Sequence, residues 1–251
     1  MESMSDRVRN YEGDYKILQW DSDFFGFTVA RILPDRLHRD QLERILAYLK
    51  EDHVTLAYWA SNPDDDESQQ AATLFSGFLA DKKVTFVTDL EGVPVVPSLS
   101  PLTINEYLES YANAELENLA VRAGNYSRFK EDPKIPECKV VELYTLWIRN
   151  SVKKEIADAV FVARLSEKIV GMVTMGEANG RCAIGLIAID VSMRMRDLGR
   201  ALICTVHAWA VPKGFRYAQV VTQERNTAAY SLYKKCGYRI DKTEYLYHFW
   251  I

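Results

Sequence analysis

One stretch of the chain has the residue types of an anion-binding loop. In VSMRMRDLGRALI, residues 191–203, arginines follow an apolar, strand-like run and precede a helical pattern. The unpaired N–H groups in the first turn of such a helix, together with the helix dipole, attract phosphate-like anions. Asp197 stands where a phosphate-binding loop would have a second glycine. A plain strand-to-helix connection with solvated arginines therefore explains this stretch equally well.

A second candidate lies downstream, where NTAAYSLYKKCG predicts a helix that Asn226 caps and Gly237 ends. Tyr233 follows Asn226 by seven residues. A phenol has an ordinary pKa of about 10, so it is protonated at neutral pH and can donate a proton. The alternative is that Tyr233, one of 14 tyrosines, packs on the face of its helix.

The elements around these residues predict an α/β (α+β) fold with two domains. Strand and helix patterns alternate in the first part as β-β-α-β-α-β, with a turn expected at DSDFFG. EGVPVVPSLSPLT is rich in proline and is the best linker candidate, so we expect domains at 1–96 and 97–251. INEYLESYANAELENLAVRAG and VVELYTLWIRNSVKK read as helices at the start of the second domain, and strands, a helix, a strand, a helix and final strands follow.

Composition excludes several classes of protein. The 251 residues are 48% hydrophobic and carry a net charge of -4, which argues against a dedicated nucleic-acid binder. Cysteines and histidines are dispersed without metal-ligand spacing, so no metal is expected. The polar N-terminus predicts no secretory signal, and no apolar run approaches the roughly 20 residues of a membrane span. We therefore expect a cytoplasmic protein.

The order of elements and the two motifs together resemble the GNAT family of acyl-CoA-dependent N-acyltransferases. The resemblance covers roughly residues 100–251 and implies a mixed central sheet, with acetyl-CoA as co-substrate. The family's pyrophosphate loop, R/Q-x-x-G-x-G/A, is matched here by Arg194, Met195, Arg196, Asp197, Leu198 and Gly199. The family's Asn-rich helix is matched by Asn226 and Tyr233.

This resemblance also implies roles. Main-chain groups of Ile187, Ala188 and Ile189 would bind the pantetheine arm like an added strand, with one N–H as the oxyanion donor. Tyr233 would protonate the leaving thiolate, and Asn226 would contact the cofactor. A left-handed conformation and a cap on the following helix would allow Asp197 in the loop, and nearby arginines would offset its charge: Arg194, Arg196 and Arg200.

A closer resemblance, to the dTDP-fucosamine acetyltransferase group, rests on LQWDSDFFGFTVARI, YSRF, LYTLWIRNSV and TEYLYHFW. It implies an amino-sugar nucleotide as substrate, with Ser127, Arg128 and Phe129 near the diphosphate. A thymine ring would need a flat apolar partner, for which the candidates are Phe24, Phe25, Tyr144 and Trp147. A basic loop tip and a helix core face explain these residues equally well. The first domain would make sugar-nucleotide or dimer contacts, and a homodimer stays open.

Several questions stay open at this stage. No motif marks the general base, and Glu177, Asp23 and Glu142 cannot be ranked. The acceptor could instead be a protein N-terminus, a polyamine, an amino acid or an aminoglycoside. A non-catalytic acyl-CoA-binding module is a further alternative, because Met195 and Asp197 depart from the loop pattern.

Overall fold

The structure is a computed structural model that describes residues 13–92, 94–193 and 197–251. The chain forms two compact units. The first contains the residues up to Lys82 together with Glu244–Ile251, and the second contains Lys83–Thr243. A boundary near Val96 therefore falls inside the second unit. The proline-rich stretch is a loop between two strands of that unit, because both strands pair with partners within it.

The elements alternate along the chain. The strands are β1 (Tyr15–Ile17), β2 (Val29–Ile32), β3 (Leu56–Ser61), β4 (Phe78–Asp89), β5 (Leu102–Glu106), β6 (Ala159–Leu165), β7 (Lys168–Ala178), β8 (Arg181–Ile189), β9 (Tyr217–Gln223) and β10 (Arg239–Trp250). The helices are α1 (Gln19–Phe25), α2 (Arg39–Glu51), α3 (Asp66–Leu74), α4 (Ala114–Ala123), α5 (Arg128–Glu131), α6 (Glu137–Val152), α7 (Leu198–Ala210) and α8 (Thr227–Lys235).

The first unit holds a small sheet with helices. β1 pairs antiparallel with β2, β2 pairs parallel with β3, and the C-terminal part of β10 pairs antiparallel with β3. The apolar positions of α2 are buried because they recur at helical spacing, and they join Trp59 in one core: Leu42, Ile45 and Leu49.

The DSDFFG stretch is part of helix α1, and the expected turn is wrong. Trp20 and Phe24, four residues apart, stack at 5.3 Å between ring centroids, which a helix permits and a turn does not. The Ser22 hydroxyl donates to the Leu18 carbonyl (2.8 Å) and accepts from the Val29 N–H (2.9 Å). Gly26, at φ 79°, ends the helix.

The second unit contains a mixed sheet, as the sequence predicts. β4 pairs antiparallel with β9, β9 pairs parallel with β8, and β8, β7, β6 and β5 follow in antiparallel order. The helix expected from Ile104 begins only at Ala114, because residues Leu102–Glu106 pair with β6 as a strand. The Asn113 side chain caps α4 by accepting from the Leu116 N–H at 2.9 Å.

The two faces of this sheet carry different helices. Ile187 and Ile189 of β8 pack in one apolar cluster with Leu198 and Leu202 of α7 and with Tyr233 of α8. Since side chains alternate along a strand, Leu186 and Ala188 point to the opposite face. Helix α4 lies against β7 and β8 on that face and packs on α6.

Candidate active site

The parallel strands β8 and β9 separate part of the way along their length. Their ladder pairs Cys182 with Ala218, Ala183 with Gln219 and Ile184 with Val220. β8 nevertheless runs on to Ile189 and β9 to Gln223. A gap lined by strand edges therefore opens beyond Ile184.

A bulge in β8 marks the point of separation. Val173 of β7 pairs with Ile187, but Met175 pairs with Ile184, so Gly185 and Leu186 together oppose Thr174. A bulge bends its strand and increases its twist, which directs β8 away from β9.

The Thr174 hydroxyl and the lack of a side chain at Gly185 together maintain this bulge. The buried Thr174 hydroxyl accepts the Leu186 N–H at 2.8 Å and replaces a ladder hydrogen bond. A Cβ at Gly185 would lie 2.8 Å from the same Oγ1, so the position requires glycine.

The edge of β8 that faces the gap presents main-chain groups. The Asp190 N–H donates to the Val170 carbonyl of β7 at 2.8 Å. Because directions alternate along a strand, the groups of Ala188 also face β7, and those of Ile187 and Ile189 face the gap. Two of the three residues expected to bind the pantetheine arm are thus oriented for it, and Ala188 is not.

The loop before α7 is partly described, since Arg194, Met195 and Arg196 lie outside the described residues. Asp197 has φ 59° and ψ 7°, the left-handed conformation expected of it. The expected side-chain cap is wrong: the Asp197 carboxylate accepts no main-chain N–H of the first turn of α7 and instead pairs with the Arg200 side chain at 3.4 Å. A capping residue normally has extended backbone angles, which aim its side chain at the first-turn N–H groups.

The first turn of α7 therefore keeps main-chain donors for a ligand. The first main-chain bond of the helix runs from the Ala201 N–H to the Asp197 carbonyl at 3.0 Å. The N–H groups of Leu198, Gly199 and Arg200 have no acceptor among the described residues. Such a turn is suited to an anion.

Gly199 lies in close contact with two neighbouring elements. A Cβ at this position would lie 2.8 Å from Leu232 Cδ2 of α8 and 3.3 Å from Ile189 Cδ1 of β8. The start of α7 therefore lies against α8, the helix that carries Tyr233, and against the end of β8 that borders the gap.

Helix α8 has the ends that its sequence predicts. Asn226 Oδ1 accepts the Ala229 N–H at 3.2 Å, which confirms the cap. Gly237, at φ 85°, follows the last turn and donates its N–H to the Lys234 carbonyl at 3.1 Å.

Tyr233 is buried on the α7 side of the sheet. Its ring packs against Phe86 and Tyr238 at centroid distances of 5.7 and 5.9 Å. Burial raises the pKa of Tyr233 well above its ordinary value, so the phenol keeps its proton at neutral pH. No described residue hydrogen-bonds to its hydroxyl, which leaves the proton free for a ligand.

A neutral histidine lies behind Tyr233. His207 Nε2 and the Tyr238 hydroxyl are 2.8 Å apart. Burial lowers the pKa of His207 to about 4, so the ring is uncharged at pH 7. This pair is a packed hydrogen bond and makes His207 a poor base.

In the YSRF segment, the Ser127 side chain has a structural role, and the Arg128 side chain packs on its neighbour Phe129. Ser127 is buried and caps α5 by accepting the Lys130 N–H at 3.3 Å, so its side chain already has a structural partner. The Arg128 guanidinium lies over the Phe129 ring at 4.3 Å.

Sequence reasoning missed Arg225, which fastens this segment. Its guanidinium donates to the carbonyls of Tyr126 (2.7 Å) and Ser127 (3.4 Å) and pairs with Glu131. Arg225 directly precedes Asn226, so it ties the YSRF segment to the start of α8. Its position beside the predicted cap was the only sequence signal.

The aromatic candidates lie in different units. In the second unit, Trp147 stacks on Tyr144 at 5.8 Å, and its Nε1 lies 3.9 Å from the position of a Cβ at Gly185. In the first unit, Phe25 contacts Phe24 edge-on at 4.9 Å and stacks on Phe27 at 5.7 Å. Trp147 is thus beside the bulge, and Phe25 belongs to an aromatic row on the first unit.

The three candidate bases each have a local partner. Glu177 accepts the Gly180 N–H at 2.6 Å in a hairpin, Glu142 pairs with Lys139 at 2.9 Å, and Asp23 accepts from Gln19 at 2.8 Å. None is brought to the gap by these contacts. Within the described ranges, no cluster of three metal-ligating side chains occurs and no helix could cross a membrane.

Comparisons with known proteins agree with this geometry. Residues 126–238 match the model of the Acetyltransferase (GNAT) family. A GCN5-related N-acetyltransferase from Sphaerobacter thermophilus superposes with a TM-score of 0.61 at 13% identity, covering 93% of this chain and 75% of its own. The expected fold, and the resemblance to GNAT enzymes on which it rested, are confirmed.

Two curated relatives have names that refer to sugars or polysaccharides. A dTDP-fucosamine acetyltransferase of Escherichia coli O6:H1 is 33% identical over 132 residues, 52% of this chain and 56% of that protein. The spore coat polysaccharide biosynthesis protein SpsD of Bacillus subtilis is 23% identical over 124 residues, 49% of this chain and 43% of that protein. The matches thus span about half the length of these relatives.

Proposed function

We propose that the protein is an acyl-CoA-dependent N-acetyltransferase that moves an acetyl group from acetyl-CoA to the amine of a nucleotide-linked amino sugar. The observation that carries this proposal is the separation of β8 from β9 beyond Ile184. It leaves the main-chain groups of Ile187 and Ile189 facing a gap, where an extended pantetheine arm can pair like an added strand.

The anionic end of acetyl-CoA would lie at the start of α7. The first-turn N–H groups of Leu198, Gly199 and Arg200 have no acceptor in the part of the chain that the structure describes, and the helix dipole would add to their attraction for a pyrophosphate. The loop residues Arg194, Met195 and Arg196 are proposed to complete this site with Asp197, and Asn226 to contact the cofactor. The Asp197 carboxylate is held by Arg200, which offsets its charge.

The reaction would proceed through a tetrahedral intermediate. The neutral amine attacks the thioester carbonyl carbon, a C–N bond forms, the C–S bond breaks, and the ammonium proton passes to solvent or to a base that is still to be identified. The Ile187 N–H faces the gap and would donate to the oxyanion, an interaction worth about 2.7–4 kcal/mol in other enzymes. Tyr233 would give its proton to the thiolate.

The acceptor is proposed to be a dTDP-4-amino-4,6-dideoxyhexose acetylated at its 4-amino group. The support is the 33% identity to a dTDP-fucosamine acetyltransferase and the polysaccharide-related name of the second relative. Arg128 and Phe129 would bind the diphosphate, and Ser127 would hold the first turn of α5, which carries them. Trp147 and Phe25 are the candidates to stack on the thymine ring. The first unit would make sugar-nucleotide or dimer contacts, and the reaction is proposed to take place in the cytoplasm.

The test is release of free thiol from acetyl-CoA by the purified chain. The acceptors are dTDP-4-amino-4,6-dideoxy-D-galactose, a polyamine, an amino acid, an aminoglycoside and a peptide with a free N-terminus. Fastest release with the sugar nucleotide supports the proposal. Fastest release with another amine refutes the acceptor and keeps the chemistry.

The departures at Asp197 and Met195 favour one other candidate, a non-catalytic acyl-CoA-binding module. Calorimetric binding of acetyl-CoA without thiol release on any of the acceptors would select this candidate.

A further inference from the structure

The surface of β8 at Gly185 has an open space and, beside it, the indole N–H of Trp147. The proposed reaction has not so far assigned a role to either of them. Gly185 is exposed, and apart from its two chain neighbours only two groups of the described residues come within 4 Å of the position of a Cβ: Thr174 Oγ1 at 2.8 Å and Trp147 Nε1 at 3.9 Å. No other described group fills the space at this point. A ligand can therefore approach the main chain of the bulge closely.

The indole Nε1 of Trp147 lies beside this opening, 3.9 Å from the position of a Cβ at Gly185. An indole N–H can only donate, and a half-buried one normally has a partner. No described residue accepts a hydrogen bond from Trp147. Trp147 lies in α6, and stacking on the buried Tyr144 (5.8 Å, 13° between ring planes) fixes its ring.

Trp147 and Tyr233 lie on opposite faces of the sheet, so they can act on different steps of the reaction. Thr174 and Leu186 belong to the face of the sheet that α4 covers, and Tyr233 belongs to the cluster on the opposite face with Ile187. An amine that approaches over Gly185 would therefore reach the thioester from one face, and the thiolate would be protonated from the other.

We propose that Trp147 and Gly185 form the acceptor subsite, which takes an oxygen of the acceptor close to its reacting amine. Gly185 provides the space, Thr174 holds the bulge, and the Trp147 N–H donates to a hydroxyl oxygen. This rests on the proposed acetyltransferase function and identifies the acceptor as a hydroxylated amine rather than a simple polyamine. Trp147 acts as a specificity-determining donor in place of the thymine-stacking role considered above.

The test is Trp147→Phe, which keeps the stacked ring and removes only the N–H. Loss of one neutral hydrogen bond predicts a KM for the amino-sugar nucleotide that is about two- to tenfold higher. The KM for acetyl-CoA and the rate with a polyamine should not change. The matched control is Trp209→Phe. Trp209, in α7, packs on Phe215, and its replacement should leave every parameter unchanged.

Two outcomes overturn the subsite. One is a Trp147→Phe enzyme that keeps the wild-type KM for the sugar nucleotide. The other is a Trp147 indole ¹⁵N–¹H signal, assigned by its loss in Trp147→Phe, that does not shift when dTDP-4-amino-4,6-dideoxy-D-galactose is added. The second readout needs no turnover, so the subsite is decided even if the wild-type protein releases no thiol and the proposed function fails.

Discussion

Thr174 is the side chain on which the opening between β8 and β9 depends most directly. Thr174→Val keeps the shape of the side chain and removes the acceptor of the buried Leu186 N–H, now bonded at 2.8 Å. A buried donor left without a partner costs about 1–3 kcal/mol. We therefore expect the free energy of unfolding to fall by that amount in urea titrations.

The same change should reach the proposed cofactor gap. Without the Thr174 hydroxyl, Leu186 can regain a partner only if the bulge shifts, which would move Ile187 and its N–H. We expect the Kd for acetyl-CoA, measured by calorimetry, to rise about two- to tenfold, since one displaced neutral hydrogen bond is worth about 0.5–1.5 kcal/mol. Thr174→Ser retains the hydroxyl and should restore most of the affinity.

Thr205→Val is the matched control. Thr205 is also buried, but its hydroxyl donates to the Ala201 carbonyl at 2.9 Å within α7. That carbonyl keeps its helical partner when the hydroxyl is removed, so little should be lost. If Thr174→Val and Thr205→Val are equally stable and bind acetyl-CoA like the wild type, the bulge does not depend on this hydrogen bond.

Three further predictions concern the neighbouring residues. Asp197→Gly should keep or improve acetyl-CoA affinity in calorimetry, because glycine adopts the left-handed conformation freely, and Asp197→Leu should weaken it; abolished binding in the glycine variant would reveal a direct role for the carboxylate. Arg225→Gln should raise the KM for the acceptor several-fold more than that for acetyl-CoA, because the carbonyls of Tyr126 and Ser127 lose their donor; equal changes in both would refute the link. As the pH falls from 6.5 to 4, the free energy of unfolding should fall by about 3 kcal/mol more in the wild type than in His207→Gln. The reason is that the unfolded histidine binds a proton in this range, whereas the folded one, with its pKa near 4, mostly does not. Parallel pH profiles of the two proteins would contradict this.

The sequence predicted the parts of the site that local patterns encode. The cap at Asn226, the stop at Gly237 and the left-handed Asp197 are properties of single residues and their neighbours, and the structure has all three. The strands around the hairpin at β6 and β7 were likewise visible from their apolar runs.

Features set by tertiary pairing could not be read in the same way. Residues Ile104–Glu106 look helical in sequence but pair with β6, and DSDFFG looks like a turn but lies at the end of helix α1. The bulge at Gly185 depends on Thr174 in a neighbouring strand, so no local pattern marks it. The same holds for Arg225, whose acceptors lie far away in the chain.

The most direct test of the proposed acetyl transfer is thiol release by wild-type protein and by Tyr233→Phe, with acetyl-CoA and the amino-sugar nucleotide. Loss of a proton donor predicts a kcat lower by about 10²–10⁴, with the KM for acetyl-CoA unchanged. Tyr230→Phe is the control, since Tyr230 lies on the same helix, and its ring contacts with Phe86 (edge-on) and with Lys234 remain in the phenylalanine variant. A Tyr233→Phe protein that turns over at the wild-type rate would contradict the assignment of Tyr233, and a wild-type protein that releases no thiol with any acceptor would contradict the proposed transfer itself.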